Sequence, residues 1–171
     1  MSQNPYKVAV ITLSDRAASG ARADESGGII RDMLAQAGLH VVEQAVLPDE
    51  AAQLVEKLIH LTDEAQADLI LTTGGTGLGK RDVTPDATLA VIDQRVPGIE
   101  EAMRMASLAK TPYAMLSRAV AGVRGRTLII NLPGSPKSVR ENLEVVLPVL
   151  PHALKLLREG QVHDDEHQFN H

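Results

Sequence analysis

Short apolar runs alternate with amphipathic stretches along most of the chain. Tyr6 to Leu13 (YKVAVITL) is rich in β-branched residues and reads as a buried first strand. Ser14 to Glu25 is polar and contains glycine, so a loop is expected there. From Ser26 to Ala37 the residues Ile29, Ile30, Met33, Leu34 and Ala37 share one helical face, and Gly38 stops the helix. His40 to Leu47 reads as a second strand, followed by a turn at Pro48-Asp49-Glu50 and a helix carrying Leu54, Leu58 and Leu61. Asp68 to Thr73 (DLILTT) is a third strand that runs directly into Gly74-Gly75-Thr76-Gly77-Leu78-Gly79.

The next helix has Thr84 as its expected N-cap, Pro85 at its first position and Asp86 in its first turn. Pro97-Gly98 separates it from another helix reaching about Ala109. Arg118 to Arg124 and Thr127 to Leu132 read as two strands around Gly125. Pro133 to Ser138 opens a helix to Leu147, and Pro148 and Pro151 interrupt it before a last turn through Leu157. Alternating strands and helices predict a mainly parallel sheet covered on both faces. Ligands of such sheets bind beyond the carboxyl ends of the strands. The polar clusters at 14–16, 48–50, 73–82 and 133–138 all follow predicted strands, which puts four loops on one rim.

At 171 residues, 44% hydrophobic, the chain is long enough for one α/β domain with a full core. That domain is expected to run through residue 160. Residues 161–171 are polar and aperiodic, and are expected to be a flexible tail. The chain has no cysteine, which excludes disulfides, zinc–thiolate sites and thiol nucleophiles. The start Met1-Ser2-Gln3-Asn4-Pro5 lacks a signal-peptide pattern, and no apolar run reaches the ~20 residues of a membrane span. A soluble, cytoplasmic protein is expected.

Aromatic residues are limited to Tyr6, Tyr113 and Phe169, so base stacking on nucleic acid is disfavoured. The net charge of -5 is unevenly spread. Residues 1–79 carry 5 Lys and Arg against 11 Asp and Glu, whereas residues 80–140 carry 10 against 5. A basic middle third in an acidic chain points to a local anion site or to solvated charges clustered by chance.

The richest segment is Thr72 to Thr88, TTGGTGLGKRDVTPDAT. Its glycines let backbone N–H groups converge on a phosphate-like anion; the alternative is a tight strand-to-helix turn. Gly74 to Lys80 matches a phosphate-loop pattern, but Arg81 stands where a Ser or Thr would hold magnesium. Asp82 closes the loop, where a carboxylate would repel an anion unless a cation such as magnesium intervenes. Asp49 is the natural second carboxylate on the same rim. Either acid could also serve only as a helix-start or turn residue. Pro133 to Ser138 offers a second helix start with hydroxyls. The histidines show no metal-binding spacing; His163, His167 and His171 all fall in the tail.

Thr72 to Gly77 followed by Arg81 to Thr88 resembles the signature of the MogA/MoaB molybdopterin-binding family, which includes the G domain of gephyrin-like proteins. The likeness extends over about residues 6–158. It includes Ser14-Asp15-Arg16, Leu47-Pro48-Asp49, Met115-Leu116-Ser117-Arg118 and Asn131 to Lys137, and it looks closer to the MogA branch.

The resemblance implies a three-layer α/β/α fold, a homotrimer, and molybdopterin adenylyltransferase activity with Mg2+ and with ATP and molybdopterin as substrates. It places the two critical, metal-holding aspartates on Asp49 and Asp82. Substrate contacts fall on Ser14, Asp15, Thr73, Gly74, Gly75, Thr76, Gly77, Ser117, Pro133, Gly134 and Ser135. Arg or Lys from the basic third would screen the triphosphate. A non-catalytic molybdopterin-binding member, or one that recruits a molybdate-inserting partner enzyme, is compatible with the same residues.

Overall fold

A computed structural model describes residues 5–160. The expected tail at 161–171 lies outside the described residues, as do residues 1–4. Six strands form one sheet in the order β2-β1-β3-β6-β5-β4. They are β1 (Val8–Leu13), β2 (Val41–Leu47), β3 (Leu69–Thr73), β4 (Gln94–Arg95), β5 (Ala121–Arg124) and β6 (Thr127–Leu132). β2, β1, β3 and β6 run parallel, so their carboxyl ends share one side. β5 is antiparallel to β6 and β4 to β5, which is why the sheet is mainly rather than wholly parallel.

Alternate residues of the central strands feed two cores. Val8, Val10, Leu69, Leu71, Leu128 and Ile130 pack with apolar residues of α2 (Glu25–Gln36), α5 (Pro97–Leu108), α6 (Pro136–Val146) and α7 (Leu150–Glu159). Ala9, Ile11, Ile70 and Ile129 pack on the other face with α3 (Ala51–Ile59), a π turn at His60–Glu64, and α4 (Thr84–Val91). With both faces buried, β1, β3 and β6 are apolar without alternation, as their sequences indicate. The three-layer α/β/α prediction therefore holds.

Several local readings change. Where a loop was expected, Asp15–Ala18 forms a short helix, α1; the Ser14 hydroxyl accepts from Ala17 N at 3.1 Å and caps it. Thr84 is not a cap: its hydroxyl donates to Gly74 O at 2.8 Å, and the helix start is set by Pro85 instead. The strand expected from Arg118 begins only at Ala121. Arg118 N bonds Thr76 O instead of a strand, and Val120 N bonds the Asn131 side chain while its carbonyl accepts from Asn131 N at 2.9 Å, so regular pairing with β6 lapses before Arg118. The two-residue β4 and a 3-10 turn at Pro112–Leu116 carry no periodicity long enough to be read.

At the amino edge of the sheet, buried Asp68 accepts from Lys7 N at 2.8 Å and from Arg158 at 2.7 Å. The Arg158 guanidinium also stacks on Tyr6, 4.1 Å from the ring centre, and reaches Pro5 O at 3.4 Å. The start of β1 is thereby tied to the end of α7.

Candidate functional site

The loops after β1, β2, β3 and β6 meet at the carboxyl rim and bound an open cleft of about 370 Å³. Ser14, Asp49, Thr73, Gly74, Gly75, Asp82, Gly134 and Ser135 all line it. A second cavity of about 280 Å³ lies between α5, the Pro112–Leu116 turn and α6. Gly77, Ser117 and Pro133 line this one. The predicted site residues thus divide between two cavities, with the Gly74–Gly77 loop running from one to the other. Thr76 is buried, lines neither, and supports the loop through its carbonyl.

The loop geometry requires glycine at two points. Gly74 sits at φ +94°, where a β-carbon would overlap Leu13 O. Gly75 sits at φ +66°, and a β-carbon there would lie 2.6 Å from Thr84 Oγ1. Side chains then fix the loop from beneath. Thr73 donates to Pro133 O at 2.7 Å, Thr84 to Gly74 O, and Thr88 to Thr84 O at 2.8 Å. Fully buried Asn131 donates to Thr72 and Thr88 and accepts from Val120 N. Every buried polar side chain in this region has a partner.

Asp49 and Asp82 both face the larger cleft. Asp49 accepts from Asp15 N at 2.9 Å through Oδ2, and Asp82 accepts from Gly79 N at 2.8 Å, also through Oδ2. Among the described residues, hydrogen bonds occupy only that oxygen of each carboxylate. Burial pushes the Asp49 carboxyl above its ordinary range, and the charges of Asp15 and Asp82 push it further; the Asp15 N–H and Arg81 oppose this. A cation between Asp49 and Asp82 would relieve the repulsion. No group of three or more His, Cys, Asp or Glu suited to a metal occurs among the described residues. Two carboxylates facing one cleft are a donor set compatible with a hard ion such as Mg2+, which takes one or two carboxylates and completes its shell from water and phosphate.

Asp15 does not line the cleft. Its carboxylate accepts from Arg81 at 2.6 and 2.9 Å and from Asp49 N at 3.0 Å, which holds it below the usual carboxylate range. Asp15, expected among the substrate contacts, thus stands beside the cleft and braces Asp49. Arg81 also reaches Glu50 at 3.0 Å, so the residue that breaks the phosphate-loop pattern ties three rim loops together. The basic third is largely taken up in such pairs: Arg95 with Glu100, Lys110 with Glu141, Arg118 with Asp86, and Arg124 with Asp63. Among the described residues, the arginine lining the larger cleft is Arg22, from the acidic first segment, and Arg104 of the basic segment lines the smaller cavity.

Two site features escaped sequence reading. Asp24 lines the cleft, accepts from Thr12 Oγ1 at 2.8 Å, and caps α2 through Gly27 N at 2.9 Å. A capping acid before Ser26-Gly27-Gly28 was the available signal. Tyr113, Met103 and Leu116 line the smaller cavity, so one of the few aromatics borders a candidate ligand space after all.

A doubly covered, mainly parallel sheet with a glycine loop and two carboxylates at its carboxyl rim defines an α/β protein whose candidate site lies at the strand ends. The family described as "Probable molybdopterin binding domain" matches residues 9–152, and the chain belongs to it. It is 45% identical over 152 residues to a molybdopterin adenylyltransferase of Helicobacter pylori, covering 88% of this chain and 86% of that one. It is 46% identical over 165 residues to a gephyrin of Dictyostelium discoideum, covering 91% of this chain but only 23% of that protein. The crystal structure of the molybdopterin biosynthesis enzyme MoaB from Thermus thermophilus superposes with a TM-score of 0.85 at 51% identity, covering 90% of this chain and 97% of that one. A structure of MogA superposes with a TM-score of 0.83 at 44% identity, covering 88% of this chain and 99% of that one, so relatives at comparable identity carry both branch names. Among the described residues no helix is long and apolar enough to cross a membrane.

Proposed function

We propose that this chain is a molybdopterin adenylyltransferase, transferring AMP from ATP to the molybdopterin phosphate with release of pyrophosphate. A role in molybdenum cofactor biosynthesis accompanies family membership. The observation that carries the finer reading is the placement of Asp49 and Asp82 in one cleft beside a glycine loop shared with a second cavity. Two anionic substrates require two adjoining spaces with a shared phosphate grip, and charge neutralisation where they meet.

A terminal phosphate oxygen of molybdopterin attacks the α-phosphorus of ATP, the bond to the β-phosphate bridging oxygen breaks, and pyrophosphate carries away that electron pair. The attacking oxygen is already anionic near neutral pH and needs no general base. Positioning and electrostatics supply the rate. The smaller cavity suits the pterin: Met103, Tyr113 and Leu116 offer apolar surface, with Ser107, Ser117 and Asn142 as polar partners. The backbone of Gly74 to Gly77 grips the joining phosphate. The larger cleft takes the nucleotide, with Asp49 and Asp82 holding Mg2+, which lowers the charge of the triphosphate when bound.

Homotrimeric assembly and a cytoplasmic location belong to the same proposal, as does a separate molybdate-inserting partner. Light scattering on the purified protein near three chain masses would support the trimer, and single chains would remove it. The catalytic test is incubation with molybdopterin, ATP and magnesium. Adenylylated pterin and pyrophosphate are expected in equal amounts. Molybdopterin binding without ATP consumption would instead make the chain a non-catalytic binder.

A further inference from the structure

Arg118 makes more bonds to the glycine loop than any other described side chain. Its backbone N–H donates to Thr76 O at 2.9 Å. Its Nε donates to Gly77 O at 2.8 Å and its Nη2 to Asp82 O at 2.6 Å, while Nη1 pairs with both Asp86 carboxylate oxygens at 3.1 and 3.2 Å. One residue thus holds the carbonyls of Thr76, Gly77 and Asp82.

The position of those carbonyls matters chemically. A carbonyl turned toward a phosphate is repulsive, whereas one tied back leaves the neighbouring N–H groups available to an anion. Gly77 borders the smaller cavity and Asp82 the larger. Ser117, the residue before Arg118, also lines the smaller cavity. The guanidinium therefore spans the partition between the two spaces. Asp86, in the first turn of α4, anchors it to the helix that follows the loop. A planar fork with several fixed donors suits this task, and a lysine, with one ammonium, cannot reach all the acceptors together.

We infer that Arg118 is a positioning residue that sets the loop for both cavities at once, placing Asp82 on the nucleotide side and Gly77 on the pterin side. The inference rests on the functional reading above for the identity of the two ligands. It touches no reacting atom and works through Asp82 and the loop backbone.

The test compares equilibrium binding of two probes to Arg118→Ala, Arg118→Lys and the wild type. One probe is Mn2+ with α,β-methylene-ATP, followed by electron paramagnetic resonance; the other is molybdopterin, followed by its fluorescence. Arg118→Ala is expected to weaken both probes by about tenfold or more, the size of losing charged hydrogen bonds that orient a site. Arg118→Lys should recover part of each. Asp49→Asn should weaken the metal–nucleotide probe alone, and Ser117→Ala the pterin probe alone. Thermal melting accompanies each measurement, and Asp86→Asn, which loosens the anchor without removing the fork, provides a milder variant if Arg118→Ala does not fold. Weakening of one probe only, or of neither, in folded Arg118 and Asp86 variants overturns the inference. Absence of adenylylated pterin with the wild type would overturn the catalytic reading and leave these binding comparisons standing.

Discussion

Asp15 and Asp49 each accept a hydrogen bond from the other's backbone N–H, at 3.0 and 2.9 Å. This reciprocal clasp joins the loop after β1 to the loop after β2 and aims the Asp49 carboxylate into the larger cleft. Arg81 then grips Asp15 from the third loop. Two acids so close are held together by backbone donors and a guanidinium rather than by sharing a proton. The strain of that arrangement falls on Asp49, the more buried of the pair.

Replacing Asp82 by Asn keeps its size and one acceptor for Gly79 N, so the fold should survive. Turnover should fall by about a thousandfold or more, since metal-assisted charge stabilisation is worth several kcal/mol and ~1.4 kcal/mol is tenfold. Asp49→Asn should behave alike, and the double variant should lose little beyond either single one if both hold one ion. Additive losses in steady-state kinetics would assign them separate tasks.

The pH dependence of metal–nucleotide binding should carry the signature of Asp49. Its folded pKa is raised above 3.8, so protons compete with the cation at a higher pH than for an ordinary carboxylate. Binding is therefore lost as pH falls through the raised value. For folding the sign is opposite: the raised pKa favours the folded state at acid pH, and that contribution is lost as pH rises through it. Arg81 lowers the Asp49 pKa, so Arg81→Met should move the acid limb of binding to higher pH. A limb that stays in place, or moves the other way, contradicts the electrostatic account.

Two glycine substitutions should act in opposite directions. Gly74→Ala forces a β-carbon onto Leu13 O at positive φ and should destabilise the fold by about 1–3 kcal/mol, with loss of ligand binding. Gly28→Ala, inside α2, meets nothing closer than Arg31 Nη2 at 4.0 Å. It should stabilise by up to about 1 kcal/mol through helix propensity. Thermal melting of both proteins checks the pair, and equal shifts would refute the assignment of strain to the loop.

Asn131→Ala should be among the more damaging core changes. It leaves Val120 N–H without its acceptor and Thr72 without its donor, at about 1–3 kcal/mol for each buried group left unpaired. The Thr88–Thr84–Gly74 chain above it should loosen as well. Chemical denaturation measures the first effect. Faster amide exchange at Gly74 and Gly75 reports the second, and unchanged exchange there would show that the loop does not depend on Asn131.

Most of the sheet could be read from the residues because β1, β3 and β6 are buried on both faces and so carry mostly apolar, non-alternating runs. The rim could be read because parallel neighbours must end on the same side, which brought Asp49, Gly74, Asp82 and Gly134 together. Pairwise side-chain choices had no such regularity behind them. Nothing in the order of residues shows that the Thr84 hydroxyl turns back to Gly74, or that Asp15 supports Asp49 instead of facing the cleft. Charge counts have the same limit: Arg81, Arg118 and Arg124 each face a nearby acid, whereas Arg104, from the same basic segment, lines the smaller cavity, and the order of residues does not distinguish them. The division into two cavities depends on how α5 and the Pro112–Leu116 turn pack against α6, a relation between distant segments.

The knot of Asp68, Arg158 and Tyr6 has a consequence for how this unit can be built into larger proteins. It gathers residues 5 to 7 and 158 at the amino edge of the sheet, across the molecule from both cavities. Chain entering and leaving there can be extended at either side without crossing the rim. A gephyrin more than four times the length of the matched segment carries a related sequence, and a unit whose described ends meet on one side of the sheet, opposite its carboxyl rim, has a geometry suited to insertion into a longer polypeptide as a cassette.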